Sequence, residues 1–165
     1  MIDEKSLMKI RSLVEKDRAR LLLMLIKTRA FTSAEIDVAM ELIDVVLKDQ
    51  IQKDYQIYCM VDDQDQAIGY ICYGSTPMTQ GTFDLYWIAV DPDFQEQGVG
   101  SKLLGFLEEW ARVMGGRLIL ADTSTIPHYE KTQKFYLKNG FQEVARVSDY
   151  YHPGNDLITF CKRLS

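Results

Sequence analysis

Residues 85–104, LYWIAVDPDFQEQGVGSKLL, constrain this chain more than any other stretch. The apolar and aromatic run 83–90 has the composition of a central strand covered on both faces, and Asp91-Pro92 stops it. Gln95-Glu96-Gln97-Gly98-Val99-Gly100 then leads into residues 98–114, where Val99, Leu103, Phe106, Leu107, Trp110 and Met114 share one helical face. Gly115-Gly116 ends that helix, because glycine takes the left-handed conformation without a Cβ penalty. A strand, a glycine-bearing loop and an amphipathic helix in this order commit the chain to an α/β architecture.

The same stretch has the physics of an anion site. Free N–H groups at a helix start point outward, and the helix dipole adds partial positive charge there. Gly98 and Gly100 carry no side chain to keep a diphosphate from those amides, and Gly100 also lets the helix start pack closely on the strand. A Walker loop fits less well, since Gly100 is followed by Ser101-Lys102 in reversed order and position 95 is Gln. A Rossmann fingerprint lacks its third glycine, position 103 being Leu, and residues 91–97 separate the turn from its strand. Taken alone, the pattern also fits an ordinary glycine-rich helix start.

Residues 8–13 read as a short opening strand centred on Ile10. Asp17 is placed to cap a helix over 17–27, with Leu21, Leu22, Leu25 and Ile26 as its apolar stripe. Thr32-Ser33-Ala34-Glu35 has the form of a capping box, and Ile36, Ala39, Met40, Ile43, Val46 and Leu47 recur behind it up to Lys48. Residues 55–61 and 67–74 form a hairpin around Asp62-Asp63-Gln64-Asp65, and 76–82 is a loop. A strand over 117–122, a helix over 128–139 closed by Asn139-Gly140, and strands over 143–147 and 157–162 complete the chain. The order β, α, α, β, β, β, α, β, α, β, β makes one mixed α/β domain.

Composition narrows the partners. The chain has 165 residues, 47% hydrophobic and 26% charged, and 19 basic against 24 acidic residues leave a net charge of −5. That balance fits a single globular domain and argues against nucleic acid or a membrane surface as partner. No apolar run approaches the roughly 20 residues that span a bilayer. Residues 1–9 carry mixed charges and no apolar core, so no leader is expected. Cys59, Cys72 and Cys161 lack the spacing of a zinc site or a disulfide scaffold, which makes a reduced, cytoplasmic, metal-free protein the expectation.

Two motifs in order resemble the GCN5-related N-acetyltransferase (GNAT) superfamily. The first is Arg or Gln, two residues, Gly, one residue, then Gly or Ala, filled here by Gln95, Gly98 and Gly100. The second is Phe-Tyr, three residues, Gly-Phe, which reads Phe135-Tyr136-Leu137-Lys138-Asn139-Gly140-Phe141. The resemblance covers residues 55–164 as the cofactor-binding and catalytic core, while residues 1–50 match only as a variable helical part. It implies a single-domain GNAT fold: a central mixed, mostly antiparallel sheet of six to seven strands flanked by about four helices.

The resemblance further implies acetyl-coenzyme A as donor. Backbone amides of Gln97, Gly98, Val99, Gly100 and Ser101 would hold its pyrophosphate, with Gln95 and Glu96 in the same loop. Ile88, Ala89 and Val90 would line the pantetheine arm, the main chains of Ile88 and Val90 pairing with it as with an added strand. The chain departs from the family at Tyr129, where many members carry an Asn that touches the cofactor.

The chemistry sets further demands. A primary amine has a pKa of about 10 and arrives protonated, so a base or a water chain must take its proton before it attacks the thioester. The resemblance gives the main-chain N–H of Ile88 to the developing oxyanion and the Tyr136 phenol to the departing thiolate. Asp84 shares a strand face with Tyr86, Ile88 and Val90 and falls where histone-type members carry a catalytic Glu; Asp122 closes the next strand. Either carboxylate, or water alone, is a candidate base. The bland alternatives are a solvated strand-end acid for each Asp and a core aromatic for Tyr136.

His128 reads as a surface residue, and His152, in the loop Tyr150-Tyr151-His152-Pro153-Gly154, as a border of the acceptor site. Lys131, Lys134 and Lys138 read as a solvated face, with Lys131 or Lys134 as the alternative contact for the cofactor's 3′-phosphate, and Met24, Met40 and Met114 as core filling. No cysteine lies in either motif, so transfer is expected to be direct, within a ternary complex, to a primary amine. Asp84, Asp122 and Asp149 together would favour a cationic acceptor, and the Tyr150-Tyr151 pair is reminiscent of ribosomal-protein alanine acetyltransferases. The last strand, over 157–162, is a candidate edge for a homodimer. A non-catalytic acetyl-coenzyme A sensor and a transferase for a longer acyl donor are the competing classes.

Overall fold

The computed structural model describes residues 8–165; residues 1–7, most of the segment read above as carrying no leader, lie outside it. A seven-stranded sheet runs in the order β1-β2-β3-β4-β5-β7-β6. β4 and β5 are parallel, whereas β1/β2, β2/β3, β5/β7 and β6/β7 are antiparallel. The chain falls into two compact units, one taking in residues to Tyr73 and Trp87–Gly105, the other Gly74–Tyr86 and Phe106–Ser165.

The first unit contains β1 (Lys9–Ser12), α1 (Asp17–Thr28), α2 (Ser33–Lys48), β2 (Gln56–Val61), most of β3 (Ala67–Ser75) and the second half of β4 (Thr82–Val90). It ends in the first turns of α3 (Val99–Val113). Leu21, Met24 and Leu25 of α1 and Ala39, Met40 and Ile43 of α2 pack on Ile57, Cys59, Val61, Tyr70, Cys72 and Ala89. Arg18 of α1 binds both carboxylate oxygens of Asp44 on α2, at 2.6 and 2.9 Å. Thr32 caps α2 with the expected capping box.

Asp17 does not cap α1. The N-cap is Lys16, whose side chain makes no capping bond. Asp17 opens the helix with its carboxylate 2% exposed, accepting from Val14 N–H at 2.9 Å and from Arg11 at 2.7 Å. A buried carboxylate needs an opposite charge more than the helix start needs a cap.

The second unit carries the first half of β4, the rest of α3, β5 (Leu118–Ser124), α4 (Glu130–Lys138), β6 (Gln142–His152) and β7 (Asn155–Arg163). The β4–β5 ladder runs from Thr82↔Leu118 to Leu85↔Ala121. Gly115 ends α3 at φ 76°, as its sequence position requires. Phe83 meets Trp110 edge-on at 5.4 Å, and Tyr136, Phe141 and Phe160 form a second aromatic cluster.

Several expectations are corrected here. β5 runs two residues beyond Asp122, and a 3-10 turn, Pro127–Tyr129, precedes α4. β6 extends to His152, so Tyr150, Tyr151 and His152 are strand residues and not loop residues; polar Ser148-Asp149 hid the continuation. β7 lies between β5 and β6, so it is not an edge; β6 is. That edge carries Glu143, Arg146 and Asp149 and two register shifts, devices that discourage strand addition. β4 is not covered on both faces, Tyr86 being 39% exposed, and Met114 is 60% exposed past the end of α3.

Candidate active site

The link from β4 to α3 is built residue by residue. Asp91 accepts from Asp93 N–H at 3.0 Å and so caps the 3-10 turn Pro92–Phe94. The Gln95 amide reaches back to Val90 O at 3.3 Å, and that of Gln97 to Asp93 O at 3.2 Å. Glu96 at φ 62° and Gly98 at φ 79° then turn the chain into the helix. Lys102 N–H makes the first helical bond, to Gly98 O at 3.0 Å. The amides of Val99, Gly100 and Ser101 therefore precede the ladder and have no carbonyl to meet within α3.

Gln95, Glu96, Gln97, Gly98 and Ser101 are exposed, and a Cβ built on Gly98 would meet nothing within 4 Å. The first turn of α3 holds no acidic residue. Open approach, unused amides and the positive end of a fifteen-residue helix fit a diphosphate. Val99 is buried and locks the helix start to the sheet. A Cβ on Gly69 of β3 would stand 3.0 Å from Val99 Cγ1 and 3.1 Å from Ala89 O. The close approach of helix to sheet is thus shown at Gly69. Ile88 and Val90, on the same β4 face as Asp84, are half-buried, and Ala89 is buried in the core.

The candidate catalytic residues lie in the second unit. Asp84, half-buried, accepts from Thr76 Oγ1 at 2.8 Å. Asp122, exposed, accepts from Thr159 Oγ1 at 2.7 Å. Asp84 stands opposite Leu120, so the period of two puts Asp84, Leu120 and Asp122 on one sheet face. Thr76 and Thr159 were missed because eight and 37 residues separate each from its carboxylate, the first brought back by closure of the loop 76–82 and the second by β5–β7 pairing.

Tyr136 is 5% exposed, its ring 5.3 Å from Phe141 and 5.6 Å from Phe160. Phe160 pairs with Ala121, so the ring packs on the face opposite the Asp122 side chain. Burial, and then the charge of Asp122, push the phenol well above the ordinary tyrosine pKa.

Asp149, at φ 55°, accepts from Gly154 N–H at 2.7 Å and closes the β6–β7 hairpin. His152, exposed, contacts Pro153 O at 3.0 Å, and His128 is on the surface. Lys131, Lys134 and Lys138 are exposed, Lys134 pairing with Glu130 at 3.0 Å. Burial pushes the Cys72 thiol up to about 12 and that of Cys59 higher still, which leaves both as protonated, unreactive core groups. Among the described residues no cluster of His, Cys, Asp and Glu could hold a metal ion, and no helix is long and apolar enough to cross a membrane.

Comparison with known proteins gives the setting. The family model of the acetyltransferase (GNAT) domain matches residues 53–143. A crystal structure of a GNAT-family protein from Desulfovibrio desulfuricans is 38% identical, superposes with a TM-score of 0.89, and is matched over 96% of this chain and 99% of that one. The S-(2-succino)cysteine N-acetyltransferase of Bacillus subtilis (strain 168) is 32% identical over 89 residues, 45% of this chain and 48% of that protein. The match thus spans about half the length of that curated relative. An aminoglycoside 6'-N-acetyltransferase complexed with coenzyme A shares the fold at 19% identity, with a TM-score of 0.70 over 94% of this chain and 97% of that one.

Proposed function

The chain belongs to the acetyltransferase (GNAT) family, and on that premise we propose that it moves an acetyl group from acetyl-coenzyme A to a primary amine by direct attack in a ternary complex. We read it as one N-acetyltransferase domain, with residues 55–164 as its core, working in the cytoplasm. The observation that carries this reading is the exposed amide array at the start of α3, opened by Gly98.

The donor supplies an acetyl group on a good leaving thiolate. The amides of Gln97, Gly98, Val99, Gly100 and Ser101 bind its pyrophosphate, with Gln95 and Glu96 shaping the loop around them. Ile88, Ala89 and Val90 guide the acyl arm, the Ile88 N–H stabilising the oxyanion. Asp84, oriented by Thr76, or Asp122, oriented by Thr159, takes the amine proton directly or through water. The Tyr136 phenol, held protonated by burial, donates to the sulfur as it departs. Its raised pKa favours a hydrogen bond over full proton transfer. The two buried, protonated cysteines support direct transfer over an acetyl-enzyme.

The acceptor is an amine on a protein N-terminus or on a small molecule. The Bacillus subtilis relative is named for a small amino-acid acceptor, which favours the latter. Calorimetric titration with acetyl-coenzyme A, followed by thiol release across a panel of amines, tests the proposal. Binding with turnover on one amine class supports it; tight binding without turnover on any acceptor makes the chain a sensor, and a preference for longer donors makes it a different acyltransferase.

A further inference from the structure

The loop that enters α3 is bolted to α1 through one buried carboxylate. Asp91 is 4% exposed, and every polar group it owns is engaged. Its N–H donates to Ile68 O at 2.9 Å and its carbonyl accepts from Phe94 N–H at 2.8 Å. Its Oδ1 accepts from Lys27 Nζ at 2.8 Å and from Asp93 N–H at 3.0 Å, and its Oδ2 faces Arg20 Nη2 at 3.4 Å. Lys27 also holds Asp93 Oδ2 at 2.6 Å, and Arg20 Nε is fixed on Ala67 O at 3.0 Å. Burial pushes the Asp91 carboxyl up, but the Lys27 ammonium, the Asp93 N–H and the Arg20 charge outweigh it and keep it below the usual carboxylate range.

We propose that Lys27, through Asp91, is a positioning residue for donor binding: it sets the path of the chain from β4 into α3 and so aims the amides of residues 97–101. Three residues separate Asp91 from the Gln95 motif position, and the Gln95 and Gln97 side chains tie that short link to Val90 O and Asp93 O. A shift at Asp91 therefore reaches the amides, because little slack lies between. Lys27 occupies the last turn of α1, where the negative end of the helix dipole adds to the attraction for its ammonium. The N-terminal helix α1 thereby bears on cofactor affinity without touching the cofactor. This inference rests on the donor-binding reading above.

The test compares Lys27→Met, Lys27→Arg and Arg18→Met in the full chain. Arg18 lies on the same helix and makes a comparable ion pair, with Asp44, away from the loop. Calorimetric titration with coenzyme A reads affinity, and amide hydrogen exchange in the unliganded protein reads order at residues 97–101. Lys27→Met is expected to raise the Kd about tenfold and to speed exchange in the loop, with kcat at saturating donor unchanged. Lys27→Arg should restore most of the affinity, and Arg18→Met should leave Kd and loop exchange as in the parent. If the parent binds coenzyme A and Lys27→Met binds equally well, the positioning role is overturned. An equal loss in Arg18→Met also overturns it, by showing general destabilisation. Failure of the parent itself to bind would instead remove the donor-binding reading.

Discussion

Asp122 and Tyr136 lie on opposite faces of the sheet: burial pushes the Tyr136 phenol well above the ordinary tyrosine pKa, and the Asp122 charge adds to that shift. The phenol is thus a proton holder at neutral pH and cannot serve as the base. Tyr136→Phe keeps the packing against Phe141 and Phe160 and removes only the hydroxyl. Stopped-time assays of thiol release should show kcat reduced about 10²-fold, with the affinity for acetyl-coenzyme A nearly intact. Unchanged turnover would take away the role given to this phenol.

The two carboxylates are separable by their kinetics. Replacing the true base by Asn should lower kcat/KM by about 10²-fold or more and flatten the acidic limb of its pH profile. Asp84→Asn and Asp122→Asn are to be compared across pH on the same amine. If both leave the profile as in the parent, a water chain carries the proton and neither side chain is catalytic.

Gly98→Trp places a large side chain where a Cβ now meets open space, so the fold loses little from collision. The cost comes from the φ of 79°, which disfavours any L side chain by about 1–2 kcal/mol. The indole would stand over the amides, and coenzyme A binding should fall beyond detection in a titration that resolves the parent. A variant that melts slightly lower yet binds normally would remove the loop from the cofactor site.

Acid stability should report Asp65. Hydrogen bonds from Arg11 and then Lys16 lower its pKa to about 2 in the folded state. The folded protein therefore binds fewer protons than the unfolded chain between an ordinary carboxylate value near 4 and about 2. The stability it contributes is present above the upper value and is lost as pH falls through the lower one. Denaturation curves at pH 4, 3 and 2 should have a shallower pH dependence in Asp65→Asn, and added salt should narrow the difference, because the carboxylate is solvent-exposed. Identical slopes in parent and variant would exclude this contribution.

What could be read before folding were the features written in short windows. The capping box of Thr32 and Glu35, the glycine-bearing loop into α3 and the glycine stop at Gly115 depend on neighbours within a few residues, and each appears where the pattern put it. The order of strands and helices followed from periodicity in the same way. The misreadings share a cause: Asp17 gave up the cap because Arg11 had arrived beside it, β6 ran past Ser148-Asp149 because β7 lay alongside, and β7 proved internal because β6 took the edge.

The sequence by itself determined the run of unpaired amides at the start of α3, because an amide array needs only a chain direction, a glycine and the absence of a carbonyl one turn back. Tertiary structure alone decided which hydroxyl holds each carboxylate, which residue lets α3 settle on the sheet, and which cation reaches Asp91. Those partners are remote along the chain, Lys27 and Asp91 being 64 residues apart, and a long-range pairing leaves no local pattern because its energy exists only once both groups are desolvated together.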